Sequence, residues 1–397
     1  MTSVLAASPG ERLRTLRELM GMTQAQVSAM TGVASSWISD VENGHADPQD
    51  DKLQLIAKAT ETPVGFFYVQ PRAVPLDSLR FRKLASAKRT LTKRVHALYS
   101  ESYRVSDDLI NLERYPTPPL PFADAETLEA EDIEVLADQT RIALRLAPDK
   151  PIPHLTRALE RGGVAVAPMV LSDHAGSDEP AANGHFGVSY WSGLGDTALI
   201  GYFPASGDRD RFTLAHELGH LVLHTFRPRA KDAEGEANRF ASALLVPYAR
   251  AREELNAETT LTEYARKKAN WGISIQALIM RAAAVERIDK TRVRSLYVQL
   301  SQRGWRKQEP VEVGQEEPLL LWTLLQRQFG DRPYLPGAEH LAIPPAVLRS
   351  IAPTPRSKKR SKKPPTPGTD RVVDGDNIVQ FTGKQTSRPG DSSRLAR

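Results

Sequence analysis

The sequence contains no cysteine. That excludes a disulfide scaffold, a thiol nucleophile and every thiolate metal site. No run of eighteen apolar residues occurs, so no membrane-spanning helix is expected. The opening MTSVLAASPGERLR lacks a basic start and a long apolar stretch, which predicts no secretory signal and a cytoplasmic setting. A glycine-rich phosphate loop, a serine nucleophile arrangement and an internal repeat are also missing. Basic charge is scarce where a folded body would need it. From Arg356 onward there are 11 Lys/Arg against 4 Asp/Glu, so of the formal +5 the preceding 355 residues carry −2. The positive balance belongs to the tail, where Lys358–Lys363 sits in a polar segment expected to stay disordered and soluble.

What is present divides into segments. Residues 9–67 read as short helices separated by polar turns. Leu13, Leu16 and Leu19 form a stripe after Gly10, and Thr23 caps a second helix with Ala25, Val27 and Met30. Gly32 breaks the pattern, Ser35 or Ser36 opens a third helix with Ile38 and Val41 inward, and Asn43-Gly44 ends it. Leu53, Leu55, Ile56 and Ala59 build another helix, which Pro63 stops. Residues 68–121 read as connecting helices, with a basic stretch at 80–94, and a Pro-rich boundary at 116–121. Residues 122–300 hold a helical segment at 125–146, a β-branched run at 164–170, a polar loop at 172–184, and strands at 186–191 and 197–202. This arrangement predicts a small antiparallel sheet beside helices. Residues 301–352 form a helical extension, and 353–397 the basic tail.

The segment 212–224, FTLAHELGHLVLH, carries the clearest chemistry. Residues four apart share a helical face, so His216 and His220 can present two imidazoles to one ion. Leu214, Leu218 and Leu221 lie roughly opposite and can dock on a core. Glu217 can reach a water activated by zinc, take its proton and pass it to a leaving amine. A third ligand is sought in the helix EGEANRFASALLVP, residues 234–247. Glu236 precedes the inward Phe240 by one turn and is the expected ligand, whereas Glu234 falls on another face. Two His, one Glu and a water make an open Zn2+ site suited to peptide hydrolysis. His224 has drifted around the helix, which assigns it to packing or support. A metzincin would need a Gly and a more distant third His, and neither is present. His174 and His185, in or beside the polar loop, are read as exposed.

Together, RFTLAHELGH, EANRFASALLVP and WGISIQALIMR resemble the ImmA/IrrE family of zinc-dependent metallopeptidases over about residues 120–300. The resemblance implies a zincin-like core, with His216, His220 and Glu236 as zinc ligands and Glu217 as the base. It also implies a protein substrate such as a repressor or an antitoxin-like partner. The string MTQAQVSAMTGVASSWISDVENG has helix-turn-helix spacing, its second helix lying in the major groove. It resembles a Cro/XRE-type domain over residues 9–67. Carried onto this sequence, Gln24, Ser35, Ser36 and Asp40 would face operator DNA with Trp37 nearby, and a homodimer would be a natural assembly. The sequence departs from a strong DNA reader, however. Residues 1–67 hold 5 Lys/Arg against 8 Asp/Glu, and no Arg stands on the third helix.

The expected architecture is therefore mainly α with a small β-sheet, an α+β fold. An all-α helix-turn-helix domain precedes a zincin-like metallopeptidase domain. The expected function is a bacterial cytoplasmic transcriptional regulator that hydrolyses a specific protein. The alternatives are a nonproteolytic transcription factor whose second domain senses a ligand, metal or partner, and an adaptor that docks through both domains.

Overall fold

The computed structural model describes residues 8–72, 74, 89–170, 187–227 and 230–356, with backbone alone at 89 and 90. The loop at 172–184 with His174, His185, the tail segment 358–363 and most of the basic stretch at 80–94 lie outside the described residues. No described helix is long and apolar enough to cross a membrane.

Five segments open the chain: α1 (Pro9–Leu19), α2 (Gln24–Thr31), α3 (Ser35–Glu42), α4 (Asp50–Ala59) and a 3-10 turn at Val64–Phe67. Ser8 with Glu11, and Thr23 with Gln26, form capping boxes, so local chemistry fixes the first two helix starts. The third helix opens at Ser35, as expected, but without a side-chain cap. Ala34 occupies the cap position without a side-chain bond, and neither Ser35 nor Ser36 caps α3. The cluster Leu13, Leu16, Val27, Ile38, Val41, Leu53 and Ile56 is the buried seam between these helices.

Next comes α5 (Arg89–Leu112), in the segment read as a connector. It lies at the centre of the molecule. Its Tyr99 and Tyr103 hydroxyls donate to the carbonyls of Leu199 and Thr197 at 2.8 and 3.1 Å. After α6 (Ala130–Ala143) and α7 (Leu155–Arg161) come three strands, β1 (Val164–Pro168), β2 (Gly187–Trp191) and β3 (Ala198–Tyr202). Their order is β1-β3-β2. β2 runs antiparallel to β3 as expected, but β1 pairs with β3 in parallel, so the sheet is mixed rather than antiparallel. The reason is visible in burial: β1 and β3 are covered on both faces, the usual condition of parallel strands. Alternate residues enter different cores. Val164, Val166, Ala198 and Ile200 join one, while Ala165, Ala167 and Leu199 join the cluster containing α5 and the helix-turn-helix.

The first face is covered by α8 (Gly207–His224) and α9 (Ala233–Leu245), followed by α10 (Tyr248–Glu254), α11 (Leu261–Trp271), α12 (Ile275–Ala284) and α13 (Lys290–Gln302). The second face receives α14 (Leu320–Phe329), α15 (Tyr334–His340) and α16 (Pro345–Ile351). Buried charges pin α8 and α9. Arg211 pairs with Glu316 and donates to the Ile152 carbonyl at 2.8 Å. Lys268 contacts Asp208 and Glu309 at 2.7 Å each. At the far end of α9, Arg141 donates to the Leu244 carbonyl and Arg281 to that of Val246. Cations there satisfy the last carbonyls and complement the helix dipole.

Candidate metal centre and nucleic-acid interface

α8 is buried along nearly its whole length, with Leu214, Leu218 and Leu221 in the core as the periodicity predicts. Its His216, Glu217 and His220 are also buried. Close contact with α9 depends on Gly219, where an added Cβ would lie 3.0 Å from Phe240 Cδ1 and 3.3 Å from Ala237 Cα. This glycine of the HELGH segment lets the two helices approach.

The structure gathers His216, His220 and Glu234. The two Nε2 atoms are 3.1 Å apart, and Glu234 presents one oxygen to each at 3.4 Å. Tetrahedral zinc with ligand bonds of 2.0–2.2 Å places its donors about 3.3 Å apart, close to the Nε2–Nε2 separation and to the distance from each imidazole to the Glu234 oxygen it faces. Two imidazoles and a carboxylate are also a donor set that zinc accepts.

Glu236, expected as the third ligand, is not in this cluster. Its carboxylate accepts from Arg227 at 2.9 Å and lies 3.0 Å from His224 Nε2. The correction follows from helix register. Glu234, Ala237 and Asn238 stand at i, i+3 and i+4 on one side of α9 toward α8, whereas Phe240, which also packs on Gly219, stands about 120° around the helix from Glu234 and on the side of Glu236. Judging inwardness from Phe240 therefore selects the glutamate that lies outside the cluster. Asn238 supplies a further contact that spacing alone did not single out: its Oδ1 lies 3.0 Å from His216 Nδ1. The amide oxygen accepts, so the imidazole hydrogen is on Nδ1 and the Nε2 lone pair faces the cluster.

Glu217 meets β2. Strand alternation turns Gly187, Ser189 and Trp191 toward α8. Ser189 Oγ donates to Glu217 Oε2 at 2.7 Å, and an added Cβ at Gly187 would lie 2.3 Å from Glu217 Oε1. Burial pushes the Glu217 carboxyl up, against the pull of His220, His216 and the Ser189 hydroxyl. Neither Gly187 nor Ser189 carries a local sequence signal, because the contact joins residues about thirty positions apart. A groove of about 860 Å³ reaches Asn238 and is lined by Phe212, Ser242, Met280, Tyr297 and Trp305 among others.

In the helix-turn-helix, Ser36 and Asp40 are exposed and Ser35 is half-buried. Among the described residues neither serine hydroxyl has a partner. Gln24 is less available than expected: its amide donates to Glu42 Oε2 at 2.9 Å. The buried Glu42 also binds Arg17 through both oxygens at 2.7 and 2.8 Å. Trp37 packs against the core, with Lys52 Nζ 4.8 Å from its ring centroid. Most cations here are committed internally. Arg12 is buried with Glu101, and Arg94 donates to the last carbonyl of α1, that of Leu19, at 3.2 Å.

Residues 13–67 match the helix-turn-helix family, and residues 199–283 match the family described as the IrrE N-terminal-like domain, a peptidase family. No curated protein matches the chain. The two family matches describe a DNA-binding regulator that carries a peptidase-family domain, as RFTLAHELGH and MTQAQVSAMTGVASSWISDVENG predict.

Proposed function

We propose that this chain is a transcriptional regulator whose second domain hydrolyses a peptide bond in a specific protein at a Zn2+ centre held by His216, His220 and Glu234. The observation that carries this reading is the set of three donor separations, 3.1, 3.4 and 3.4 Å, beside a buried glutamate. Zinc in such a site supplies Lewis acidity to a water and to the scissile carbonyl. The chain's own residues do the rest. Ser189 holds Glu217 Oε2, which leaves Oε1 to take the proton of the attacking water and return it to the departing amine nitrogen. Burial and the Ser189 hydrogen bond hold the Glu217 carboxylate in one place for that transfer.

The substrate is a protein, in the role a repressor or antitoxin-like partner would fill. β2 is one of the two edge strands of the sheet among the described residues, and its far side can accept an extended peptide as an added strand. The groove beyond Asn238 takes neighbouring side chains, its Phe212, Tyr297 and Trp305 suiting an apolar residue. A homodimer on a two-fold operator remains the natural DNA-bound form for a helix-turn-helix of this kind. Cytoplasmic placement follows from the same reading.

A survey of protein N-termini in source cells tests the proposal, comparing the wild type with Glu217→Gln. New termini found only in the wild type support a protease and name its substrate. Identical termini in both contradict it.

A second reading is a regulator that responds to a bound ligand without cutting. It is favoured by a cavity of about 480 Å³ between the helix-turn-helix, α5 and α16, lined by Met20, Met22, Met30, Leu98 and Val347 among others. Operator binding that responds to ligand and is unchanged by Glu217→Gln would select it.

A further inference from the structure

Successive steps of four residues turn an α-helix by about 40° each, so His224 stands about 80° around from His216. It cannot share their ion, yet it can reach the back of the His220 ring. The hydrogen bonds it makes there have a direction that can be worked out atom by atom. Arg227 Nη1 donates to Glu236 Oε2 at 2.9 Å, and Arg227 is itself anchored by donating to the carbonyls of Leu223 and Glu126. Glu236 Oε2 lies 3.0 Å from His224 Nε2. A carboxylate only accepts, so the hydrogen of a neutral His224 is on Nε2 and its Nδ1 is an acceptor. That Nδ1 lies 2.9 Å from His220 Nδ1. The His220 hydrogen is therefore on Nδ1, and its lone pair is on Nε2, 3.1 Å from His216 Nε2 and 3.4 Å from Glu234 Oε1.

We infer that His224, held by Glu236 and Arg227, is the positioning residue that locks His220 into the Nδ1–H tautomer and aims its Nε2 lone pair at the metal position. The inference rests on the reading of His216, His220 and Glu234 as a metal centre. It gives Glu236 a role one residue removed from the ion, through His224. The two ligand histidines are thus oriented by different devices: a side-chain amide from α9 for His216, and a charged relay through His224 for His220. With both tautomers fixed, two lone pairs and one carboxylate converge with no hydrogen between them. A cation relieves that arrangement, which makes the empty donor set costly and the loaded one favourable.

The test measures zinc affinity of the full-length chain by competition with a chromophoric chelator, together with histidine tautomers of the zinc-loaded protein by long-range ¹H–¹⁵N correlation. The wild type is expected to bind one zinc, with His216 and His220 both as Nδ1–H tautomers. His224→Leu removes acceptor and donor together and is expected to weaken zinc binding about 10- to 100-fold. In His224→Gln, Oε1 can accept from His220 while Nε2 donates to Glu236, so affinity is expected to stay within about threefold of wild type. Should His224→Leu fail to fold, Glu236→Gln reads the same relay, with an expected loss of about tenfold. Unchanged affinity in the folded His224→Leu or Glu236→Gln variant, or equal losses for Leu and Gln at 224, overturns the inference. A wild type that binds no zinc overturns the metal-centre reading as well, and that result appears before any variant is compared.

Discussion

Arg12 Nη1 and Glu101 Oε1 are 2.5 Å apart, and both side chains are 1% exposed. This pair joins the first helix of the helix-turn-helix to the central helix α5. Glu101 also binds Arg104 at 2.9 Å, and Arg104 donates to the carbonyls of Leu341 and Ala342. One carboxylate therefore ties together the DNA-binding unit, the central helix and the C-terminal helices. Burial alone would raise Glu101, but Arg104 and Arg12 hold it below the ordinary range. Glu101→Gln leaves Arg12 buried without a counterion and Arg104 with Asp108 alone, and is expected to cost about 3–5 kcal/mol. Urea unfolding monitored by two probes, one in each unit, checks this. The wild type should unfold in a single transition, and the variant at lower urea with the helix-turn-helix first.

The two glutamates of the EGEANRF segment should separate in metal binding. Glu234→Ala removes a direct ligand and is expected to lower zinc affinity by about a thousandfold or more, while Glu236→Ala should lose only about 10- to 100-fold. Equilibrium dialysis against buffered zinc measures both. The reverse ranking would restore Glu236 as the ligand.

Gly187→Ala tests the contact between the edge strand and the general base. Its Cβ would fall 2.3 Å from Glu217 Oε1, so the carboxylate must move. Peptide hydrolysis is expected to drop by at least about 100-fold, because misplacement by an ångström is enough to do so. Zinc content should remain at one per chain. Parallel loss of zinc would show that the strand shapes the ligands as well.

Glu160 gives the chain a pH-dependent stability. Its carboxylate accepts from the amides of Leu319 and Leu320 at 2.7 and 2.8 Å, and burial pushes it from the ordinary 4.5 up to about 7. The folded state thus holds this proton more tightly than the unfolded chain. The resulting stability is fully present below pH 4.5 and is lost as pH rises through 7, by about 3 kcal/mol in all. Glu160→Gln keeps an oxygen for both amides without the charge. It is expected to be more stable than wild type at pH 8 by about 1–3 kcal/mol and nearly equal near pH 5. Urea midpoints of the two proteins at both pH values decide it, and a difference that does not change with pH would contradict the assignment.

Much of the fold was legible because its signals are local. Thr23 and Gln26 sit three residues apart and form the capping box that starts α2. His216 and His220 are four apart on one helix and converge as that spacing requires. What escaped depends on how one element meets another. The face of α9 turned to α8 is set by the close approach at Gly219, so choosing Glu234 over Glu236 needed the partner helix. The parallel pairing of β1 with β3 is a choice between edges of the sheet, which the run VAVAP does not encode. Spacing marks the long helix α5 only as a connector, although its Tyr99 and Glu101 find their partners about a hundred residues away. Gln24 has the spacing of a DNA-facing residue, but a buried Glu42 eighteen residues on claims its amide.

The central claim is a metal centre made by His216, His220 and Glu234. Zinc X-ray absorption on the purified full-length chain tests it most directly, with the His216→Ala/His220→Ala double variant as its control. The account predicts one zinc per wild-type chain, a first shell of nitrogen and oxygen at about 2.0–2.2 Å with imidazole scattering, and no stoichiometric zinc in the double variant. A wild type without zinc, or a double variant that keeps it, would contradict the account.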